Sequence, residues 1–176
     1  RNVWEAPDMP FYYVQIAPHK YKDSRDQGRS IGEAQMEALK TIPNSGMVPT
    51  TDIGDEFCIH PPQKDVVGLR LATLALTKTY GIRRLPSNGP TMTKVDYADK
   101  KAIVTFVMHL RVVPYFLELE GFEIAGADKK FYPAKAKIVG RTNTVEVWSE
   151  EVAQPIAVRY AFRNYGEISR CGILSD

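Results

Sequence analysis

The chain has 176 residues, of which 44% are hydrophobic and 25% are charged. These proportions are typical of a folded globular protein and exclude a disordered chain, a collagen-like repeat and a coiled coil. Its 23 basic and 21 acidic residues are interspersed and form no basic stripe of the kind that nucleic-acid-binding proteins carry. No apolar run approaches the ~18 residues that a membrane-spanning helix needs, so we expect neither nucleic acid nor a membrane as a partner.

The first part of the chain predicts strands and helices in alternation. An apolar, β-prone run at residues 11–17 is typical of a strand buried on both faces, as in a parallel sheet. A capping-box pattern predicts a helix from Ser30, with an apolar face made of Ile31, Ala34, Ala38 and Ile42. A short strand at 46–50 follows. A second helix at 63–80 is predicted to be well buried, because apolar residues line two of its sides.

This order indicates only part of a layered α/β domain. Two short parallel strands cannot cover their own faces and edges, and parallel sheets occur almost only when both faces are covered. We therefore interpret residues 1–84 as the C-terminal part of a larger α/β domain. The sequence begins at Arg1 without a signal-peptide pattern, and we expect it to be a fragment or a processed product.

The second part of the chain predicts antiparallel β-structure. A turn-rich segment at 85–90 precedes it, so we place a domain boundary between residues 84 and 85. Strands are predicted at residues 92–95, 102–107, 120–125, 130–132, 136–139, 144–148 and 156–162. Hairpin turns at 126–129 and 140–143 and a strand spacing near ten residues favour an accessory β-sandwich over residues 85–176.

The loop at residues 51–61 carries the side chains with the most chemical information. Asp52, Asp55 and His60 follow the C-terminal end of a parallel strand, where open α/β sheets bind ligands. A histidine oriented by a carboxylate can take a proton from a serine and return it to a leaving group. The alternative is that His60 is an ordinary loop residue beside a proline and that the acids are turn residues or helix caps.

Two other functions for this loop are disfavoured. The spacing of a zinc or EF-hand site is absent from its candidate ligands, which are Asp52, Asp55, Glu56 and His60. Cys58 is too close in sequence to His60 to meet the ring as a nucleophile and is expected to pack as a small apolar group. Cys58 and Cys171 form neither a disulfide framework nor a zinc motif, and no metal or organic cofactor is implied.

Several short motifs, each weak alone, are specific together. They are PFYYVQIAP at 10–18, EAQ at 33–35, TTDIGD at 50–55, IHP at 59–61, VG at 67–68, RLA at 70–72, GFEIAGAD at 121–128, FYPAKA at 131–136 and VRYA at 158–161. In this order they resemble the sialate O-acetylesterases, which are SGNH-type serine esterases with acetylxylan esterases among their relatives. The resemblance covers about residues 10–164.

The resemblance implies a hydrolase of glycan degradation that removes O-acetyl groups from sugars, sialic acids foremost. It implies an SGNH-like (flavodoxin-like) three-layer α/β domain, of which residues 1–84 are the C-terminal part, and a secreted or periplasmic location. His60 matches the histidine of the Ile-His-Pro motif. In such enzymes that histidine is the base for a serine in an N-terminal motif.

Two departures from the family pattern bear on the site. None of the serines stands in a Gly-Asp-Ser or Gly-x-Ser-x-Gly setting. The nucleophile is therefore expected on a missing N-terminal half, the predicted partner, and this chain alone is expected to be inactive. Phe57 stands three residues before His60, where many SGNH esterases carry the triad acid. Asp55 is our preferred orienting acid and Asp52 the reserve, with a backbone carbonyl as the alternative.

The alternative function is a non-catalytic glycan-binding or structural β-sandwich module. Trp148, Tyr132 and Tyr160 would then supply a sugar-stacking platform, although aromatic residues in alternating strands are more often core residues. His19 and His109 are interpreted as solvent-facing or satisfied in loops. Gln35 is interpreted as a surface polar residue of its helix, with a position facing the cleft as the alternative.

Overall fold

The computed structural model describes residues 1–22, 27–83, 85, 90–107, 110–112, 119–140, 142–166 and 173–175. Contacts divide the chain into two compact units. The first comprises Arg1–Asn88 and Arg163–Tyr165, and the second comprises Gly89–Phe162 and Gly166–Asp176. The assignment of Arg163–Tyr165 to the first unit is a long-range feature that the sequence did not indicate. Most of the turn-rich segment predicted at 85–90 lies outside the described residues.

The first unit confirms the predicted order of strands and helices. Its described elements are a short 3-10 helix (Asn2–Trp4), strand β1 (Phe11–Val14), helix α1 (Gln27–Thr41), strand β2 (Ser45–Val48) and helix α2 (Lys64–Lys78). The two strands pair in parallel, with Phe11 opposite Ser45 and Val14 opposite Val48. No described strand pairs with the other edge of either one. No described helix combines the length and apolar character that crossing a bilayer requires.

The start of α1 corrects the prediction of a capping box. The helix begins three residues before Ser30, which therefore lies inside the helix and not at its N-cap. The Gly28 N–H donates to the side-chain oxygen of Asn164 at 3.0 Å, a partner 136 residues away that caps the first turn. A Cβ at Gly28 would lie 3.1 Å from the Tyr21 ring, so the segment before the predicted start is also closely packed.

The helices bury less apolar surface than the sequence predicted. On α1, Ile31 of the predicted buried face is 48% exposed. On α2, Leu69 is 69% exposed and only Leu74 is fully buried among the described residues. The prediction of a well-buried second helix is therefore wrong for this chain, because a two-stranded sheet offers too little surface to cover two helices.

The second unit is entirely antiparallel over its described strands. Their bounds are β3 (Met92–Ala98), β4 (Lys101–Phe106), β5 (Leu110–Val112), β6 (Phe122–Ala125), β7 (Phe131–Pro133), β8 (Lys135–Ile138), β9 (Thr144–Trp148), β10 (Ala157–Tyr160) and β11 (Ile173–Ser175). They form a four-stranded sheet β3-β4-β9-β8, a three-stranded sheet β10-β6-β7 and the pair β11-β5. The sequence predicted all of these strands except β5 and β11.

Two of these sheets supply one hydrophobic core. Alternation along β9 places Val145 and Val147 in the core, together with side chains of β4, β6 and β8: Ala102, Val104, Phe122, Ile124 and Ala136. Of the three aromatic residues for which core positions were favoured, Tyr132 packs against this core. Trp148 lies outside it, since the pleat turns this residue to the face opposite Val147.

The turns between paired strands of the second unit were predicted only in part. The turn predicted at 126–129 joins β6 to β7. The turn predicted at 140–143, of which Arg141 lies outside the described residues, falls between β8 and β9. The two-residue turn between β3 and β4 was not predicted; there Asp99 and Lys100 have φ of 49° and 64°. Positive φ at both positions is the type I′ geometry. It is adopted here without the glycine that usually marks it.

Candidate active site

The predicted site loop leaves the C-terminal end of β2 and is fixed to the end of β1. The buried Thr50 hydroxyl donates to the Gln15 carbonyl at 2.9 Å. The Asp55 N–H donates to the Pro18 carbonyl at 3.2 Å. Between them, Gly54 approaches so closely that a Cβ would lie 2.4 Å from the Pro18 carbonyl oxygen, a distance that only glycine permits. These contacts hold the segments after the two parallel strands side by side.

Asp52 is joined to helix α2. Its two carboxylate oxygens accept hydrogen bonds from Arg70 at 2.8 and 2.5 Å, and Arg70 also donates to the Pro49 carbonyl at 2.8 Å. Partial burial raises the pKa of Asp52, but the hydrogen bonds and the charge of Arg70 outweigh it, so the pKa lies below its usual value. This bidentate pair anchors the start of the loop to the helix and occupies both oxygens of Asp52.

Asp55 shapes the part of the loop that leads to His60. Its Oδ1 accepts the N–H groups of Phe57 and Cys58, both at 2.8 Å, which is an Asx-type turn. These N–H groups, that of Cys58 first, hold the pKa of Asp55 below its usual value. Within the described residues, its Oδ2 accepts no hydrogen bond, so one carboxylate oxygen is open to a further donor.

His60 is exposed to solvent at the end of this turn. The Cys58 thiol donates to its backbone carbonyl at 3.2 Å, while its imidazole makes no hydrogen bond to any residue that the structure describes. The structure therefore joins His60 to Asp55 through the loop backbone and not through the ring. No described serine lies in bonding position to the imidazole, and the catalytic roles of His60, Asp55 and Asp52 stay predictions.

The structure adds His19 to the neighbourhood of Asp55. Its Nδ1 lies 3.2 Å from the Asp55 backbone carbonyl, and its ring meets Tyr21 edge-on. Its backbone N–H donates to the Asn164 carbonyl at 2.8 Å. The prediction of a histidine satisfied within a loop is confirmed for His19. His109 lies outside the described residues. Sequence gave no hint that His19 contacts Asp55, because the two residues are 36 positions apart.

Gln35 corrects the interpretation of this residue as surface-exposed. From α1 its side chain accepts the Ile16 N–H at 2.8 Å and donates to the Val14 carbonyl at 3.1 Å. The amide thereby satisfies the backbone at the end of β1, on the edge that faces away from β2. Its place in the EAQ motif was a signal in the sequence that it had a specific role.

The described residues offer no cluster of three or more histidine, cysteine or acidic side chains that could hold a metal ion. A cleft lined by Leu39, Pro43 and Lys78 lies at the amino end of β2, opposite the loop. The loop therefore presents an exposed imidazole, one open carboxylate oxygen and backbone groups that anchor it. Such a set can accept, hold and return a proton.

Comparison with known proteins confirms the resemblance seen in the sequence. No family model matches the chain. It is 22% identical to a mouse sialate O-acetylesterase over 179 aligned residues, which cover 94% of this chain and 33% of that protein. A solved carbohydrate acetylesterase from Xanthomonas citri superposes with a TM-score of 0.83 at 32% identity, over 96% of this chain and 39% of that one. The chain thus spans between a third and two fifths of the proteins it resembles.

Proposed function

We propose that the chain is the C-terminal part of a serine esterase that removes O-acetyl groups from sugars, sialic acids foremost. The observation that carries the proposal is the placement of His60. Its imidazole is exposed on a firmly anchored loop at the carboxyl end of a parallel strand. The chain that carries it is similar, over 94–96% of its length, to two acetylesterases.

The proposed chemistry uses His60 as the base. A serine hydroxyl attacks the acetyl carbonyl carbon while the imidazole takes the serine proton. The imidazolium returns the proton to the departing sugar oxygen as the ester bond breaks. Water then attacks the acetyl-serine with the same imidazole as base, and acetate and the free serine are released. No metal or organic cofactor takes part in these steps.

The serine is proposed to come from a preceding N-terminal half. Two features of the first unit support this. The outer edge of β1 pairs with no described strand, and the surface exposes large apolar side chains: Phe11, Ile31, Met36, Leu39, Leu69 and Tyr80. Exposed large apolar side chains are typical of a surface that another segment covers. We propose that residues 1–84 complete an SGNH-like three-layer domain and that 85–176 form an accessory β-sandwich, in a secreted or periplasmic enzyme.

Asp55 is proposed as the orienting acid. Its Oδ2 is open, whereas both oxygens of Asp52 are bonded to Arg70. An orienting hydrogen bond from the imidazole to Asp55 requires the loop at 55–60 to close around the ring. We propose that packing of the preceding N-terminal half against this loop favours that closure. Asp52 then serves to anchor the loop.

The test compares this chain with a longer polypeptide that includes the preceding sequence. The longer protein is expected to release acetate from O-acetylated N-acetylneuraminic acid and to take up a fluorophosphonate probe on serine. This chain alone is expected to do neither. His60→Gln in the longer protein should lower the rate by roughly 10²–10⁴-fold. Full activity of His60→Gln, or stoichiometric labelling of this chain alone, contradicts the proposal.

A further inference from the structure

The outer face of the four-stranded sheet presents a tryptophan among charged side chains. On β9 the inward residues Val145 and Val147 are buried, so Glu146 and Trp148 point to the other face. Lys101 from β4 and Lys137 from β8 each place the ammonium group over the indole ring, 5.7 Å from its centroid, at the outer limit of a cation–π contact. The face is accessible, since the side chains of these two lysines are 35% and 59% exposed.

The charges around this indole do not balance. Both lysines bind the same oxygen of Glu146, at 2.9 and 3.4 Å, so two cations share one anion. Neighbouring lysines on the same sheet each have a carboxylate of their own, in the pairs Lys135–Glu150 and Lys94–Asp96. Within the described residues, the cluster of Lys101, Lys137, Glu146 and Trp148, here called the indole–lysine cluster, therefore carries one positive charge without a matching anion.

We propose that the indole–lysine cluster binds a pyranose ring that carries a carboxylate. An indole offers a flat apolar surface for the C–H groups of a sugar ring. An ammonium group without its own anion attracts a carboxylate. The two lysine ammonium groups are then matched by two carboxylates, that of Glu146 and that of the ligand. A neutral sugar would leave the excess charge unpaired, and a small inorganic anion would leave the indole uncovered. A sugar acid uses both features.

This binding site goes beyond the proposed ester hydrolysis, because it lies within the second unit and needs no serine. It also gives the glycan-binding module, the alternative function of this chain, a specific location. Binding and acetate release are measured separately, so either proposal can fail while the other stands.

The experiment uses the chain with Trp4→Phe, which leaves Trp148 as the single tryptophan of the two in the sequence. The probe is N-acetylneuraminic acid, with its methyl ester and sodium acetate as ligand controls. The expected result is a saturable change of Trp148 fluorescence with the acid, a much weaker response to the ester, and none to acetate at equal ionic strength.

Of three substitutions in the cluster, two are expected to weaken binding and one to strengthen it. Lys137→Gln is expected to weaken binding about threefold, the scale of one exposed ion pair. Glu146→Gln is expected to strengthen it, because the competing carboxylate is removed. Trp148→Ala, followed through the ligand's NMR signal, is expected to weaken it about tenfold, which is about 1.4 kcal/mol. Lys40→Gln removes a lysine that pairs with Glu37 on α1 and is expected to leave binding unchanged.

The proposal is overturned by any of three results. These are a response that does not saturate, equal affinity for the acid and its methyl ester, or weaker binding by Glu146→Gln in a variant whose unfolding midpoint is unchanged.

Discussion

The two units differ in how far each covers its own apolar side chains. In the second unit, two sheets enclose a continuous core that includes Val104, Ile124 and Val147. In the first, the buried hydrophobic side chains among the described residues are Val48, Ile53 and Leu74. Since buried apolar area is the main stabilising term in folding, the second unit holds its fold with its own side chains, and the first depends more on hydrogen bonds and close backbone contacts.

The largest expected effect tests the core of the second unit. Ile124 is fully buried, and Ile124→Ala should lower the free energy of unfolding of that unit by about 2–5 kcal/mol. Because a chain of two units need not unfold in one step, denaturant unfolding is followed by Trp148 fluorescence in a Trp4→Phe background. Ile156→Ala, at a position 54% exposed on the same unit, is the control. Equal losses from the two substitutions would show that the core does not stabilise this unit as described.

A medium effect is expected where the first unit relies on close backbone approach. Gly54→Ala places a Cβ 2.4 Å from the Pro18 carbonyl oxygen, so the loop has to move away from the end of β1. We expect a loss of about 1–3 kcal/mol and faster amide exchange at Asp55, whose N–H bonds to the same carbonyl.

Gly68→Ala is the matched control for Gly54→Ala. Its Cβ meets nothing within 4 Å on helix α2, and alanine in a helix is favoured over glycine by about 1 kcal/mol. The two substitutions make the same chemical change and should shift the stability of the first unit in opposite directions. If both stabilise it, the contact of Gly54 with Pro18 is not tight in solution.

The difference between the two units also explains which parts of the fold could be predicted from the sequence. Strand β9 was predicted at its observed bounds, 144–148. Alternation of apolar and polar side chains is a local pattern, and it corresponds directly to which side chains of the strand enter the core. The first turn of α1 was missed, since the cap from Asn164 comes from 136 residues away. The role of Gln35 was missed for a similar reason, because its partners Val14 and Ile16 lie 21 and 19 residues from it in sequence. Periodicity predicts which face of a helix is apolar, but not whether another segment covers that face, and Leu69 of α2 shows the difference.

The site loop likewise has features that the sequence predicts and features that only the structure shows. A strand end followed by two acids and a histidine is visible in the sequence, and the structure places all three residues on one anchored loop. What the sequence could not show is that Asp52 is engaged by Arg70, 18 residues further on, while Asp55 caps a turn. Both acids fit the general pattern of an orienting carboxylate. Only their hydrogen-bond partners distinguish the acid that is already bonded from the one with an open oxygen.

The smallest expected effect is a pH dependence of the first unit that comes from Asp52. Because Arg70 holds the pKa of this carboxylate below its usual value in the folded state, the unfolded chain takes up the proton first as the pH falls. The pair therefore stabilises the fold above the unfolded pKa of about 4, and this contribution is lost as the pH drops below that value through the folded pKa. With the carboxylate partly exposed, solvent screening limits the contribution to on the order of 1 kcal/mol.

Arg70→Met tests this directly, because it removes the cause of the lowered pKa while keeping an unbranched side chain on α2. Unfolding followed by Trp4 fluorescence in a Trp148→Phe background should show a loss of stability near pH 7 that shrinks below pH 4, where the protonated carboxyl of Asp52 no longer pairs with Arg70. Glu37→Gln removes an exposed ion pair of α1 with Lys40 and should change stability by less than about 0.5 kcal/mol at either pH. A loss for Arg70→Met that is the same at pH 7 and pH 3 would mean that the arginine acts through its bond to the Pro49 carbonyl, and that the loop is anchored by its backbone and not by Asp52.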